Sequence, residues 1–206
     1  MPEPGFLRWT GAALACGGLL TIVINAALTP LLPHGVAFAV TAASTVYVWR
    51  QASSALAALL LLFGCTGLYL RQAGRAGRFG GVAFVAAFTG SALVLATEWT
   101  QVFDVHDLAL RAPAALTAMN AAKGMSLSDA GAMIALGTFA LGWIALAAAT
   151  IRARVLDRRA AMLVIAGFFA IPLLHAALES VTGDIIGNAI LGSGWIWLGL
   201  GVRRAD

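Results

Sequence analysis

Long apolar segments separated by short polar loops are the feature that most constrains this chain. A bilayer-spanning helix needs roughly 20 mostly apolar residues, and six segments meet that need: 6–28, 53–70, 79–97, 129–151, 160–178 and 185–202. Hydrophobic residues make up 61% of the 206 residues and charged residues 11%, whereas a soluble domain carries roughly 25% charged residues. A soluble fold could not bury so much apolar surface. The sequence predicts an all-α polytopic membrane protein with one domain, residues 1–206.

The distribution of arginine predicts how these six helices are oriented. Only three of the 13 basic residues, Arg50, Arg111 and Lys123, fall toward one side of a six-span arrangement. The other ten fall on the opposite side, in the loops or at the termini: Arg8, Arg71, Arg75, Arg78, Arg152, Arg154, Arg158, Arg159, Arg203 and Arg204. Because short cytoplasmic loops are enriched in Lys and Arg, both termini are predicted to be cytoplasmic. A composition rich in Ala and Arg with one lysine is typical of small polytopic bacterial proteins, which favours the inner membrane.

Two predicted outer connections are long and partly apolar. Residues 36–49 are too few to span the bilayer and too apolar for a solvated loop, which predicts an interfacial or re-entrant segment. Residues 98–128 are amphipathic, and Pro113 is suited to the first position of a short helix there. The predicted fold is therefore a six-transmembrane-helix bundle, N-in and C-in, with two membrane-hugging outer segments.

Acidic, amide and histidine side chains toward the outer ends of the spans predict a polar site. Two pairs have the i,i+4 spacing of one helical face, one in span five and one in span six. Ionisable groups at membrane depth are costly, so mutual pairing of these side chains is expected, with His175, Glu179, Glu98 and His106 in one connected cluster. The candidates for ligand binding or proton handling are His175, Glu179, Glu98, His106, Asp104, Asp184 and Asn188.

A metal site is an alternative interpretation of the same side chains. Imidazole and carboxylate groups suit zinc, iron, copper or nickel, and the metal ligands would be His34, His106 and His175 if their helix ends converge. No spacing such as HExxH marks such a site, and the sequence identifies no metal, haem or other cofactor. A third interpretation is structural, with His175 bonded to Glu179 or to a carbonyl group.

Three classes of function remain open on this evidence. The first is an outward-facing polar pocket that binds or handles a small molecule, lipid or ion. The second is a membrane-embedded enzyme that uses His and carboxylate chemistry, with or without a metal. The third is a non-catalytic subunit of a larger membrane complex. No nucleophile elbow or phosphate-binding loop marks an enzyme, and no basic stripe with interleaved aromatic residues suggests a nucleic-acid partner.

Two further patterns predict partners and packing. Basic residues near the cytoplasmic surface attract anionic lipid head groups, and the residues placed there are Arg152, Arg154, Arg158 and Arg159. Small residues at four-residue spacing let helices approach closely, within the bundle or in a homo-oligomer. These rows are Gly183 with Gly187, Ala189 with Ser193, and Ala83 with Ala87 and Ser91. The six tryptophans are predicted to be interfacial anchors.

Overall fold

The protein is almost entirely helical. The computed structural model describes residues 3–122, 124–178 and 180–204; helix accounts for 90% of the structure, and this part of the chain contains no strand. Five helical stretches are long and apolar enough to cross a membrane. They are Gly5–Leu31, Thr45–Arg111, Leu127–Ala153, Arg158–Ala177 and Val181–Arg203. These stretches indicate a membrane protein, as the sequence predicts.

The described residues form eight α-helices. In chain order they are α1 (Pro4–Val23), α2 (Phe38–Ala42), α3 (Thr45–Thr100), α4 (His106–Arg111), α5 (Pro113–Ala121), α6 (Leu127–Ala153), α7 (Arg158–Ala177) and α8 (Ser180–Arg203). A π-helical segment, Ile24–Leu28, extends α1 and leads into a 3-10 turn. A second π-helical segment, Gln101–Val105, joins α3 to α4.

The longest helix, α3, folds back on itself at Gly77. The backbone there has φ 59° and ψ −160°, a combination that glycine adopts and other residues avoid. The rings of Tyr69 and Phe84 stack with centroids 4.6 Å apart. In a continuous helix they would lie roughly 20 Å apart, because each residue rises about 1.5 Å. The two arms of α3, residues 45–76 and 78–100, are therefore antiparallel neighbours.

The helices pack against one another in antiparallel pairs. Where α1 meets the first arm of α3, Thr10 lies against Gly67 and Gly17 lies against Leu61, so the residue numbers run in opposite directions. The contacts of α3 with α6, of α7 with α8 and of α1 with α8 are also extensive and run in the same sense. The bundle consequently has two chemically different ends.

One end of the bundle, here named the arginine end, carries the basic loops. Two recesses there are lined in part by arginine side chains, those of Arg152, Arg154 and Arg158 in one and of Arg8, Arg203 and Arg204 in the other. The opposite end, the cap end, carries α2, α4 and α5. These three short helices share a small apolar core of their own with the start of α3: Ala39, Ala42, Tyr47, Ala109 and Leu116.

Of the two long connections, the first differs from its predicted form and the second contains the predicted helix. Residues 36–49 are not one interfacial segment: α2 takes the first part, and α3 begins at Thr45 because the Ser44 hydroxyl caps it by accepting from the Tyr47 N–H at 3.3 Å. The predicted start of that span at residue 53 was therefore wrong. In the second connection a short helix begins at Pro113, as predicted.

Two tryptophans lie in the core rather than at an interface. Trp143 and Trp195 are 0% and 1% exposed, and their ring centroids are 5.2 Å apart. The indole Nε1 of Trp143 donates to the Ser91 hydroxyl at 3.1 Å. The prediction that all six tryptophans are interfacial anchors was wrong for these two, because helix rotation turns them toward the bundle axis.

Two of the small-residue rows serve contacts inside one chain. Ala83, Ala87 and Ser91 are all buried in the interior. A methyl group added at Gly183 would lie 2.3 Å from the Leu174 carbonyl oxygen of α7, a distance that the backbones cannot accommodate. These faces of α3 and α8 therefore hold neighbouring helices of the same chain together.

Candidate functional site

A cavity of about 550 Å³ lies between the long helices in the half of the bundle nearer the cap end. Its wall is built from α1, both arms of α3, α6, α7 and α8. Small-molecule sites in proteins span roughly 300–1,000 Å³, so the volume suits a small ligand. Because the wall residues are drawn from all five long helices, the cavity depends on the complete bundle.

The wall of this cavity is divided into a polar and an apolar part. The polar part consists of side chains from the cap-end portions of α1, α3 and α8: Asn25, Arg50, Ser54, Glu98, Asp184 and Asn188. The apolar part comes from residues closer to the middle of the helices: Leu61, Val94, Phe139, Phe168, Leu191 and Trp195. The rings of Phe139 and Phe168 both pack edge-to-face against Trp195, with centroids 6.0 Å from it. The cavity is therefore amphipathic.

Two π-helical segments adjoin the polar wall. Asn25 belongs to the first of them, and Glu98 lies just before the second. The Thr29 hydroxyl donates to the Ile24 carbonyl at 3.2 Å, five residues back, and accepts from Arg50 Nε at 3.2 Å. The end of α1 thus positions the guanidinium of α3. π-Helical segments occur frequently at functional sites.

Glu98 is the least satisfied group of the polar wall. Its Oε2 atom is buried and has no hydrogen-bond partner within the described ranges 3–122, 124–178 and 180–204. Arg50 acts on Glu98 electrostatically, but its guanidinium donates to Thr29 and Gln51 instead. A buried polar atom without a partner is costly. Glu98, which lines the cavity, therefore carries an unsatisfied acceptor.

The apolar wall also contains one unsatisfied hydrogen-bond donor. Trp195 Nε1 is buried and has no acceptor within the part of the chain that the structure describes. The indole N–H can only donate. The cavity thus combines a free acceptor on Glu98 with a free donor on a residue of its aromatic wall.

The structure brings three of the predicted site residues together and places a fourth beside them. Glu98, Asp184 and Asn188 line the same cavity. His175 does not line it but bonds to Asp184, with 2.9 Å between Nδ1 and Oδ1. Asn188 is anchored by donating to the Asp184 carbonyl at 2.9 Å. Asp184 and Asn188, which have the i,i+4 spacing in span six, thus lie on the same wall.

The remaining predicted residues lie elsewhere. His106 Nδ1 lies 2.7 Å from the Ala42 carbonyl oxygen, a contact that fastens α4 to α2. Asp104 is exposed, because the π-helical segment interrupts the three-residue spacing that would align it with Glu98. Glu179 lies outside the described residues, and α7 ends before it at Ala177. The hydrogen bonds of His106 and His175 lead to Ala42 and Asp184 instead of to each other, and the predicted cluster that includes Glu98 and Glu179 stays a prediction.

The three histidines do not converge on a metal site. His34 is exposed in the loop before α2, whereas His106 and His175 bond to Ala42 and Asp184 respectively. Across residues 3–122, 124–178 and 180–204, no group of three His, Cys, Asp or Glu side chains is placed to hold a metal ion.

Sequence reasoning missed the basic and aromatic residues of the cavity. In the sequence analysis Arg50 indicates only which side of the membrane its loop is on. An arginine on the arginine-poor side, next to an apolar stretch, also indicates a candidate site residue. Phe139, Phe168 and Trp195 gave no such signal, because aromatic residues in apolar spans are equally suited to lipid contact. Only the packing of the helices separates the two roles.

Comparisons of this chain with protein-family models, with curated proteins and with solved structures find no match.

Proposed function

We propose that this protein binds a small amphipathic molecule in a cavity that opens to the outer side of the membrane. The observation that carries the proposal is the division of the 550 Å³ cavity into a polar and an apolar wall. A ligand with a polar head and an apolar body matches both walls, since polar groups fix its orientation and apolar contact supplies most of its affinity.

The proposed orientation is a six-span protein in the bacterial inner membrane. The reversal at Gly77 supports six crossings, because it divides the stretch Thr45–Arg111 into two antiparallel arms. Both termini then lie at the arginine end. Arginine-rich loops of membrane proteins are cytoplasmic as a rule, so the cap end and its cavity face outward.

The topology is tested with single cysteines in a Cys16→Ala background, where the buried Cys65 is the remaining thiol. Arg75→Cys and Ala115→Cys each place a thiol at an exposed position, at the arginine end and in the cap respectively. A membrane-impermeant maleimide added to intact cells is expected to label only position 115. Labelling of position 75 without permeabilisation would contradict the proposed orientation.

The cavity is tested by filling it. Ser54 and Ala140 both line it, and Ala132, on the same helix as Ala140, is exposed. We expect the thiol of Ser54→Cys to react with a small neutral methanethiosulfonate, and Ala140→Phe to slow that reaction at least tenfold. Ala132→Phe, the matched control, should leave the rate unchanged. A thiol at position 54 that does not react, or that reacts equally in both phenylalanine variants, would remove the support for an accessible cavity.

An enzyme is the second candidate function, favoured by the pair formed by His175 and Asp184. An imidazole held by a carboxylate is an arrangement used in general acid–base catalysis, and Asp184 lines the cavity. For an enzyme, His175→Asn should abolish turnover of a bound molecule while its binding persists. For a binding protein or a non-catalytic subunit, His175→Asn should alter only affinity or stability.

Anionic lipid head groups are proposed as partners at the arginine end. One recess there has a volume of about 630 Å³ and is lined by Arg152, Arg154 and Arg158, and Arg159 follows on the first turn of α7. Each such residue near an anionic surface contributes about 1 kcal/mol of attraction. Cytoplasmic orientation by itself also accounts for basic residues at this position.

A further inference from the structure

We infer that the ligand of the cavity is a cationic amphiphile, with a protonated amine held at Glu98 and an apolar body against the aromatic wall. The inference rests on the proposed function and narrows it to one class of ligand. It depends on three features of the cavity: the unsatisfied carboxylate, the commitment of the neighbouring charges, and the position of the apolar side chains.

The carboxylate of Glu98 requires a donor that the described part of the protein does not supply. Its buried Oε2 atom has no hydrogen-bond partner there, and an ionised carboxylate can only accept. A hydrogen bond in which the donor or the acceptor is ionised is about twice as strong as a neutral one. An ammonium group satisfies the carboxylate in both respects, because it supplies donors and the opposite charge.

The other charged groups on the wall each have at least one protein partner. Arg50 donates through Nε to Thr29 and through Nη1 to Gln51. Asp184 bonds to His175 outside the cavity wall. The cavity wall thus carries two carboxylates and one guanidinium, and Glu98 is the one of the three with a buried oxygen that lacks a partner among the described residues. An anionic head would meet like charge at Glu98, and its most direct counter-charge, Arg50, already has two acceptors.

The apolar wall determines the rest of the ligand. Phe139, Phe168 and Trp195 form one edge-to-face cluster, and Leu61, Val94 and Leu191 line the cavity with them. An inorganic cation or a small polar amine would leave this wall without an apolar contact. An amine joined to an alkyl or aryl body fits both walls at once.

The test compares reagents of different charge at one position in the wall. The protein carries Ser54→Cys and Cys16→Ala, and methanethiosulfonates with a trimethylammonium, a neutral methyl or a sulfonate group react with the new thiol. Each rate is divided by the rate of the same reagent at Ala115→Cys, an exposed position on α5, which removes intrinsic differences in reactivity. The normalised rate is expected to be at least tenfold higher for the ammonium than for the sulfonate reagent.

Adding Glu98→Gln should reduce the ratio of the ammonium to the sulfonate rate to near one, because the substitution keeps the shape of the side chain and removes its charge. Asp104→Asn is the matched control, since it removes an exposed acid six residues along the chain that does not line the cavity. Its ratio should equal that of the parent. A ratio that survives Glu98→Gln but falls with Asp184→Asn would overturn the assignment to Glu98.

A second measurement does not depend on the stability of the Glu98 variant. n-Octylamine should protect the thiol at position 54 from the neutral reagent at concentrations at least tenfold lower than n-octanol does. Equal protection by the two compounds, or equal normalised rates for all three reagents, would overturn the preference for a cation and leave an accessible amphipathic cavity. A thiol that no reagent reaches would instead remove the proposed function itself.

Discussion

Trp143→Ala is expected to lower the free energy of unfolding by about 3–5 kcal/mol, the range found when a large core aromatic residue is truncated. The indole is 0% exposed and packs edge-to-face against Phe139 and Trp195. Its removal also leaves the buried Ser91 hydroxyl without the hydrogen bond that Nε1 donates. The hydrogen bond joins α6 to α3, whose contact is one of the most extensive in the bundle, and the ring contact with Trp195 joins α6 to α8.

The matched control for this substitution is Trp49→Ala. Trp49 is 65% exposed near the start of α3, so its truncation removes little buried area and should cost less than about 1 kcal/mol. Both variants should be measured by thermal denaturation in one detergent. Equal shifts in the two variants would show that Trp143 does not occupy the core. Ser91→Ala should fall between them, at about 1–3 kcal/mol, because it leaves the buried indole N–H unsatisfied.

Gly142→Ala is expected to destabilise the bundle by about 1–3 kcal/mol or more, the usual cost of overpacking a core. A Cβ at this position would lie 2.4 Å from the backbone nitrogen of Ala87. The obstructing atom is helix backbone, which cannot move aside as the end of a side chain can. The substitution therefore forces α6 away from the second arm of α3.

Gly137→Ala on the same helix should have the opposite sign. A Cβ there meets nothing within 4 Å, and alanine is favoured over glycine in a helix interior by up to about 1 kcal/mol. The pair is compared by midpoint of thermal denaturation in the same detergent. A Gly142→Ala variant as stable as the parent would mean that the two helices do not approach as closely as the structure places them.

Much of the fold was predictable because transfer into a bilayer depends on local composition. Each apolar stretch found by composition falls within a long helix of the bundle, two of them in the two arms of α3, and Pro113 begins a helix where its sequence position suggests. The errors lie at the ends of the helices. The Ser44 cap starts α3 at residue 45, ahead of the predicted start at residue 53. The π-helical segment Gln101–Val105 places Asp104 on a different face from Glu98.

The candidate site was predictable in part for a related reason. Glu98, Asp184 and Asn188 were selected as polar groups near the ends of apolar spans, and the structure places all three on one wall. His106 was selected on the same grounds but bonds to Ala42 in the cap. Position along a span indicates the depth of a residue. It does not indicate the direction in which the side chain projects from the helix.

The sequence by itself determined that the chain is helical, that its long apolar stretches suit a membrane, and that its arginines segregate to alternate connections. Each of these follows from residues that are close together in the chain. Only the tertiary structure decided that Arg50, Glu98 and Trp195 line one cavity, that Trp143 is core, and that two of the small-residue rows pack inside one chain. These outcomes depend on the rotation and register of helices that are distant in sequence. Apolar composition determines neither the rotation nor the register, because every face of such a helix is suited either to lipid or to a neighbouring helix.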